Sequence, residues 1–199
     1  MRGAGPSPVV IGRPTRLLER TIAEFRQERI PASYGGAPNF SRPLPSLDGI
    51  DPALTQPLTS ALTPPADAEN RTGTEAVIVI VDQSLVDYLF GEHTGSGAGI
   101  RLFGRARRVR SAEHQICDLA TKAAITIAAR RLLVVCDAER TSAAERTRAI
   151  RWVRSVAHRV GYECAINGLH GLATSYTVIV SGTTVGHAAR SVVDWYRAP

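Results

Sequence analysis

Ala76-Val77-Ile78-Val79-Ile80-Val81-Asp82 is the stretch that decides the fold. Six apolar, mostly β-branched residues run without alternation, so both faces of the strand are covered, as in the middle of a parallel sheet. A single acid then ends the run. Leu132-Leu133-Val134-Val135-Cys136-Asp137 repeats the design further along the chain and also stops at an aspartate. Between the two lies enough chain for a crossover helix, and strands alternating with helices predict an α/β sheet covered on both faces.

Working outward from the first strand, Ser84 followed by Asp87 marks the start of a short helix. Gly91, Gly95, Gly97 and Gly99 then make four glycines in nine residues, read as a surface loop. Such a loop could cradle a phosphate, but no Walker lysine follows and no G-x-G-x-x-G opens a helix directly after a strand. Ile100 to Phe103 reads as a brief strand. Ser111 caps a helix to about Arg130, with Ile116, Leu119, Ala120, Ala123 and Ile127 at helical spacing. Ser142 and Glu145 form a capping box for a helix to Val160, with Gly161 as its C-cap.

Tyr162 to Ile166 and Tyr176 to Val180 read as a third and a fourth strand, followed by a helix from Val185 to Tyr196. So short a separation predicts that this pair is antiparallel. The expected architecture is three-layer α/β, a mostly parallel sheet of about four strands with an antiparallel edge pair.

Eleven of the twelve prolines fall in residues 1–65, and the last is Pro199. Proline has no backbone donor and breaks helices and central strands, so residues 1–73 are expected to be a Pro-rich extended arm preceding a compact domain of residues 74–199. One helix is predicted in the arm, over about 15–29, with Leu18, Ile22 and Phe25 as a narrow apolar stripe suited to docking. A protein partner, or a second copy of the chain, is the occupant expected for residues 1–73.

The chain carries 24 basic and 18 acidic residues, a net charge of +6, and Lys122 is its one lysine. Arginine suits bidentate phosphate contact, although a GC-rich genome also produces arginine in excess. Cys117, Cys136 and Cys164 are odd in number and widely spaced, which excludes a disulfide framework and a zinc knuckle. Val9 to Ile11 is too short for a signal-peptide core and nothing approaches a membrane span. A cytoplasmic protein without membrane partners is expected.

Chemistry in a parallel sheet gathers beyond the carboxyl ends of the strands. Asp82 and Asp137 occupy those positions, with Glu139 two residues on and Asn167 after the third strand. If the first two strands are neighbours, Asp82, Asp137 and Glu139 are the residues that would hold Mg²⁺, a hard cation that prefers carboxylate oxygen. Aspartates at strand ends are equally ordinary turn and cap residues. Val81 to Leu89, with Asp82 closing a strand before a helix, resembles the opening of PIN-family ribonucleases over about ten residues. The later carboxylates of that family are not matched by the spacing of Glu113 and Asp137, so the family is not assigned. The five histidines show no ligand spacing, and Cys164 with His170 lacks a third group to orient the imidazole.

Arg101, Arg105, Arg107, Arg108 and Arg110 place five arginines and no acid in ten residues, with Phe103 among them able to stack on an unpaired base. Arg148, Arg151, Arg154 and Arg159 fall opposite the apolar stripe of the following helix. If the two runs adjoin, they form one nucleic-acid or polyanion-binding patch. The competing expectation is a solvated surface neutralised by Glu92, Glu113 and Asp118. Three function classes follow: a non-catalytic binding and assembly protein that needs no cofactor, a Mg²⁺- or Mn²⁺-dependent phosphoester hydrolase, and a structural subunit joined through residues 1–73.

Overall fold

The protein is seen in a computed structural model that describes residues 7–36, 75–91 and 98–198, with the backbone alone over 98–103. Its strands are β1 (Val9–Gly12), β2 (Ser33–Gly36), β3 (Ala76–Val81), β4 (Arg131–Asp137) and β5 (Ala173–Ile179). The helices are α1 (Arg16–Gln27), α2 (Gln83–Phe90), α3 (Ala98–Thr126), α4 (Ala143–Ile166) and α5 (Val185–Arg197). The five strands form one sheet in the order β2-β1-β3-β4-β5, and every pairing is parallel.

All six residues of β3 are buried, as its uninterrupted apolar run predicts. Val77, Val79 and Val81 enter one core with residues of α2, α3 and α4. Ala76, Ile78 and Ile80 enter a second core with Leu17, Leu18 and Phe25 of α1 and Val192, Val193 and Tyr196 of α5. The period-two alternation of a strand thus feeds two cores at once. On the α1/α5 side Phe25 meets Tyr196 edge to face with ring centroids 5.5 Å apart.

Several expectations are corrected here. Residues 9–36 do not precede the sheet as an arm, because β1 lies between β2 and β3 and α1 packs on the sheet with α5. The prolines punctuate these elements rather than forbidding them. Pro8 stands before β1, Pro14 before the Thr15 cap that accepts from the Leu18 N–H at 3.4 Å, and Pro31 before β2. The helix expected over 15–29 is α1, while residues 37–74, including the boundary expected near Gly73, lie outside the described residues.

The expected antiparallel edge pair is likewise absent, since β5 runs parallel to β4 from Arg131 opposite Ala173 to Asp137 opposite Ile179. Tyr162 to Ile166 is the last turn of α4 rather than a strand. Gly161 does not end that helix. A Cβ there would sit 3.0 Å from Thr174 Cγ2, so the glycine lets α4 lie close on β5. The helix ends at Asn167, followed by Gly168 at φ +89°. Residues 100–103, expected as a strand, have helical backbone within α3. The cap of α2 is Asp82 rather than Ser84, whereas the capping box of Ser142 and Glu145 is present as expected.

Gly12 closes β1 where the sheet and α1 converge. A Cβ there would meet Leu18 Cδ1 at 2.9 Å and Ile80 Cβ at 3.1 Å. Gly12→Ala is therefore expected to lower stability by about 1–3 kcal/mol through overpacking, read as a lower denaturant midpoint with an unchanged slope. An unchanged midpoint would mean that α1 can shift outward at no cost. Among the described residues no helix is long and apolar enough to cross a membrane.

Candidate functional site

The chain builds β2 to one side of β1 and then returns to place β3 on the other, so the strand order reverses between β1 and β3. Ligands of open α/β sheets sit beyond the carboxyl ends at such a point. Here the two loops are tied together, because Arg13 Nε, just after β1, lies 3.6 Å from Asp82 Oδ2, just after β3. The other oxygen, Asp82 Oδ1, accepts from the Leu85 N–H at 2.9 Å as the cap of α2. Asp82 is buried, and both its oxygens are engaged by the fold.

Val81 pairs with Cys136, so Asp82 and Asp137 leave neighbouring strand ends side by side, the adjacency on which a shared cation would depend. Asp137 Oδ1 accepts from the Glu139 N–H at 3.3 Å, a turn role, and the Glu139 carbonyl accepts from the Ser181 hydroxyl at 2.9 Å. Among the described residues no three His, Cys, Asp or Glu side chains stand together as a metal-binding group.

Burial pushes the Asp137 carboxyl above its ordinary range. The Glu139 N–H works against that shift, and the negative charges of Glu139 and Asp82 add to it. A raised folded pKa means that the native state holds this proton more tightly than the unfolded chain. The associated stability is full below the unfolded carboxyl value of about 3.9 and is lost as pH rises through the folded value. Asp137→Asn removes that dependence. The variant is expected to gain stability relative to the parent as pH rises from acid to neutral, and thermal melts across that range check it. A constant difference would contradict the buried-carboxyl account.

The cysteines offer no nucleophile. All three are free and buried, and burial pushes the Cys117 and Cys136 thiols up to about 12. Cys164 is raised too, chiefly by burial. A thiol held neutral in this way is inert.

The arginine runs behave differently. Helices α3 and α4 lie side by side in a register set by polar contacts along their seam. Ser155 donates to Glu113 at 3.4 Å, Arg159 approaches Glu113 at 3.7 Å, and Thr121 donates to Glu163 at 3.2 Å. One to two turns toward their N-termini, that register sets Arg105–Arg110 beside Arg148–Arg154. Arg107, Arg110, Arg151 and Arg154 are exposed, and Arg105, Arg108 and Arg148 are half-buried.

Aromatic rings hold the inner members. The Arg105 guanidinium stands 5.9 Å from the Phe90 ring centroid and donates to the Phe90 carbonyl at 3.3 Å, while Arg108 lies 5.1 Å over Tyr88. Phe90 in turn packs on Trp152 at 5.9 Å. Among the described residues Arg108 Nε, Arg148 Nη1 and Trp152 Nε1, like Arg146 Nε, are buried without a hydrogen-bond partner.

Of the acids expected to neutralise this surface, Glu113 does pair with one arginine of the α4 run, whereas Asp118 is used elsewhere. Glu113 meets Arg159, which also binds Glu163 at 2.7 Å, and Asp118 binds Lys122 at 2.8 Å. Glu92 and the side chains of Arg101 and Phe103 lie outside the described residues. Sequence reading missed Tyr88, Phe90 and Trp152, which no local pattern links to the arginines. It also missed Arg13, which the rule of looking just past each strand would have found had β1 been recognised.

No family model matches the chain, and no curated protein matches it significantly. Among solved structures it is similar to a GDP-L-fucose synthetase from Naegleria fowleri bound to NADP, at 10% identity and a TM-score of 0.43, over 89% of this chain and 50% of that one. A second structure of a GDP-L-fucose synthetase from Naegleria fowleri gives 11% identity and a TM-score of 0.42 over 88% and 53%. The chain thus spans about half the length of these proteins. At this level the likeness carries neither substrate nor cofactor to it.

Proposed function

We propose that the protein is a binding module without chemistry of its own, and that the surface shared by α3 and α4 takes a phosphate-bearing polyanion, in the first place a nucleic acid. The observation that carries this reading is the register of α3 on α4, which sets Arg105–Arg110 beside Arg148–Arg154 on one surface. Phosphate oxygens suit the planar guanidinium fork. Exposed Arg107, Arg110, Arg151 and Arg154 extend the same surface beyond one phosphate, which favours a chain of phosphates over a single anion.

The test is fluorescence anisotropy of labelled single-stranded and duplex oligonucleotides with the parent protein and with a variant carrying Arg107→Gln, Arg110→Gln, Arg151→Gln and Arg154→Gln. The parent is expected to bind both without strong sequence preference, because phosphate contacts carry no sequence information. Equal affinity in parent and variant would remove this surface from the account.

A further inference from the structure

The β5 margin of the sheet is chemically unlike the rest of the molecule. From Cys164 to Ala189 the sequence contains no Asp, Glu, Lys or Arg, in a chain that is 21% charged. Seven large apolar or aromatic side chains are exposed among the described residues. Four of them lie at this margin: Tyr162 and Ile166 of α4, Tyr176 of β5, and Val180 just after it.

The close approach of Gly161 to Thr174 lays the end of α4 on β5. Tyr162 and Ile166, one turn apart, therefore flank the strand. Tyr176 shares the helix side with Thr174 by alternation.

β5 is also an edge strand, seven residues long and paired on one side only among the described residues. Exposed edges usually carry lysines, prolines or bulges that prevent further pairing. Ala173-Thr174-Ser175-Tyr176-Thr177-Val178-Ile179 carries no charge and no proline, and every residue pairs in register with β4. The opposite edge, β2, is four residues long and half glycine.

We infer that β5 pairs antiparallel with β5 of a second copy of this chain, joining the two sheets into one. A two-fold axis through Tyr176 sets Tyr176 opposite itself, Ser175 opposite Thr177 and Thr174 opposite Val178, so no like charges face each other. The same axis brings the two α4 ends together on one face, where Tyr162 and Ile166 of both copies extend the contact. A second copy fits better than an acidic partner or a nucleic acid, because β5 itself carries no guanidinium to recognise either, and Arg146 near its end is engaged with Ser181. Two bodies of net charge +6 approach at least electrostatic cost through their uncharged edges. This inference is independent of the arginine surface.

Sedimentation equilibrium of the full chain tests it. The parent is expected to show twice the chain mass of 21.4 kDa. Tyr176→Lys, which sets like charges directly opposite each other on the two-fold axis, and separately the double variant Tyr162→Lys with Ile166→Lys, are expected to halve that mass. Both sites are exposed, so the thermal midpoint measured at low concentration should not move. A parent that stays monomeric up to about 100 µM, or a dimer that survives both sets of substitutions, would overturn the inference.

Discussion

A chain beginning at residue 74 is expected not to fold. Removing residues 1–73 deletes β1, which pairs with β3 through four registered positions from Val9–Val77 to Gly12–Ile80, and leaves β3 as a bare edge. It also strips Val10, Leu17, Leu18 and Phe25 from the core that covers Ile78, Ile80 and Tyr196. Phe25 is fully buried, and Phe25→Ala alone is expected to cost about 3–5 kcal/mol. Against a typical domain stability of about 5–15 kcal/mol, losing the whole β1-α1-β2 unit exceeds what remains. Circular dichroism melts read both effects. A truncated chain that melts cooperatively near the parent temperature would show that the N-terminal unit is dispensable.

The second large effect concerns the arginine surface. Replacing Arg107, Arg110, Arg151 and Arg154 by Gln is expected to weaken nucleic-acid binding by about two orders of magnitude or more at low salt, the scale set when several phosphates go unneutralised together. The weakening should be similar for different sequences, because these arginines position a backbone rather than read bases. All four residues are exposed, so stability should change little, within roughly 0.5 kcal/mol each. A variant that fails to bind because it unfolds would show a lowered melting temperature and would not support the surface.

The half-buried arginines Arg108 and Arg148 separate this reading from a diffuse basic charge. Conservative Arg108→Lys and Arg148→Lys keep the charge but lose the fork. A surface that acts only through net charge would tolerate them, whereas a built phosphate site would not.

What the sequence disclosed depended on element length and on how local each signal was. β3 and β4 stand out because each is an unbroken apolar run that stops at an aspartate, and the box of Ser142 and Glu145 is a contiguous signature. The two strands positioned Asp82 and Asp137 correctly at one sheet edge. β1 and β2 escaped notice because each has only four residues and the prolines around them outweighed so short a pattern.

The end of α4 was misjudged for a different reason. A glycine at Gly161 signals a helix stop by conformational freedom, but here it serves close packing against Thr174, a tertiary fact with no local trace. The arginines of α3 and α4 were legible as two runs. Their juxtaposition was not, since it rests on pairs such as Glu113 with Arg159, and the aromatic floor of Tyr88, Phe90 and Trp152 brings α2 to the seam between them.

The most direct test of the polyanion reading is the salt dependence of oligonucleotide affinity, measured by anisotropy on parent and quadruple variant side by side. The account predicts that log affinity of the parent falls linearly with log salt, with a slope of several units, and that the variant's slope is shallower by about four, one for each phosphate no longer neutralised. A parent that does not bind at low salt, or two proteins with the same slope, would contradict it.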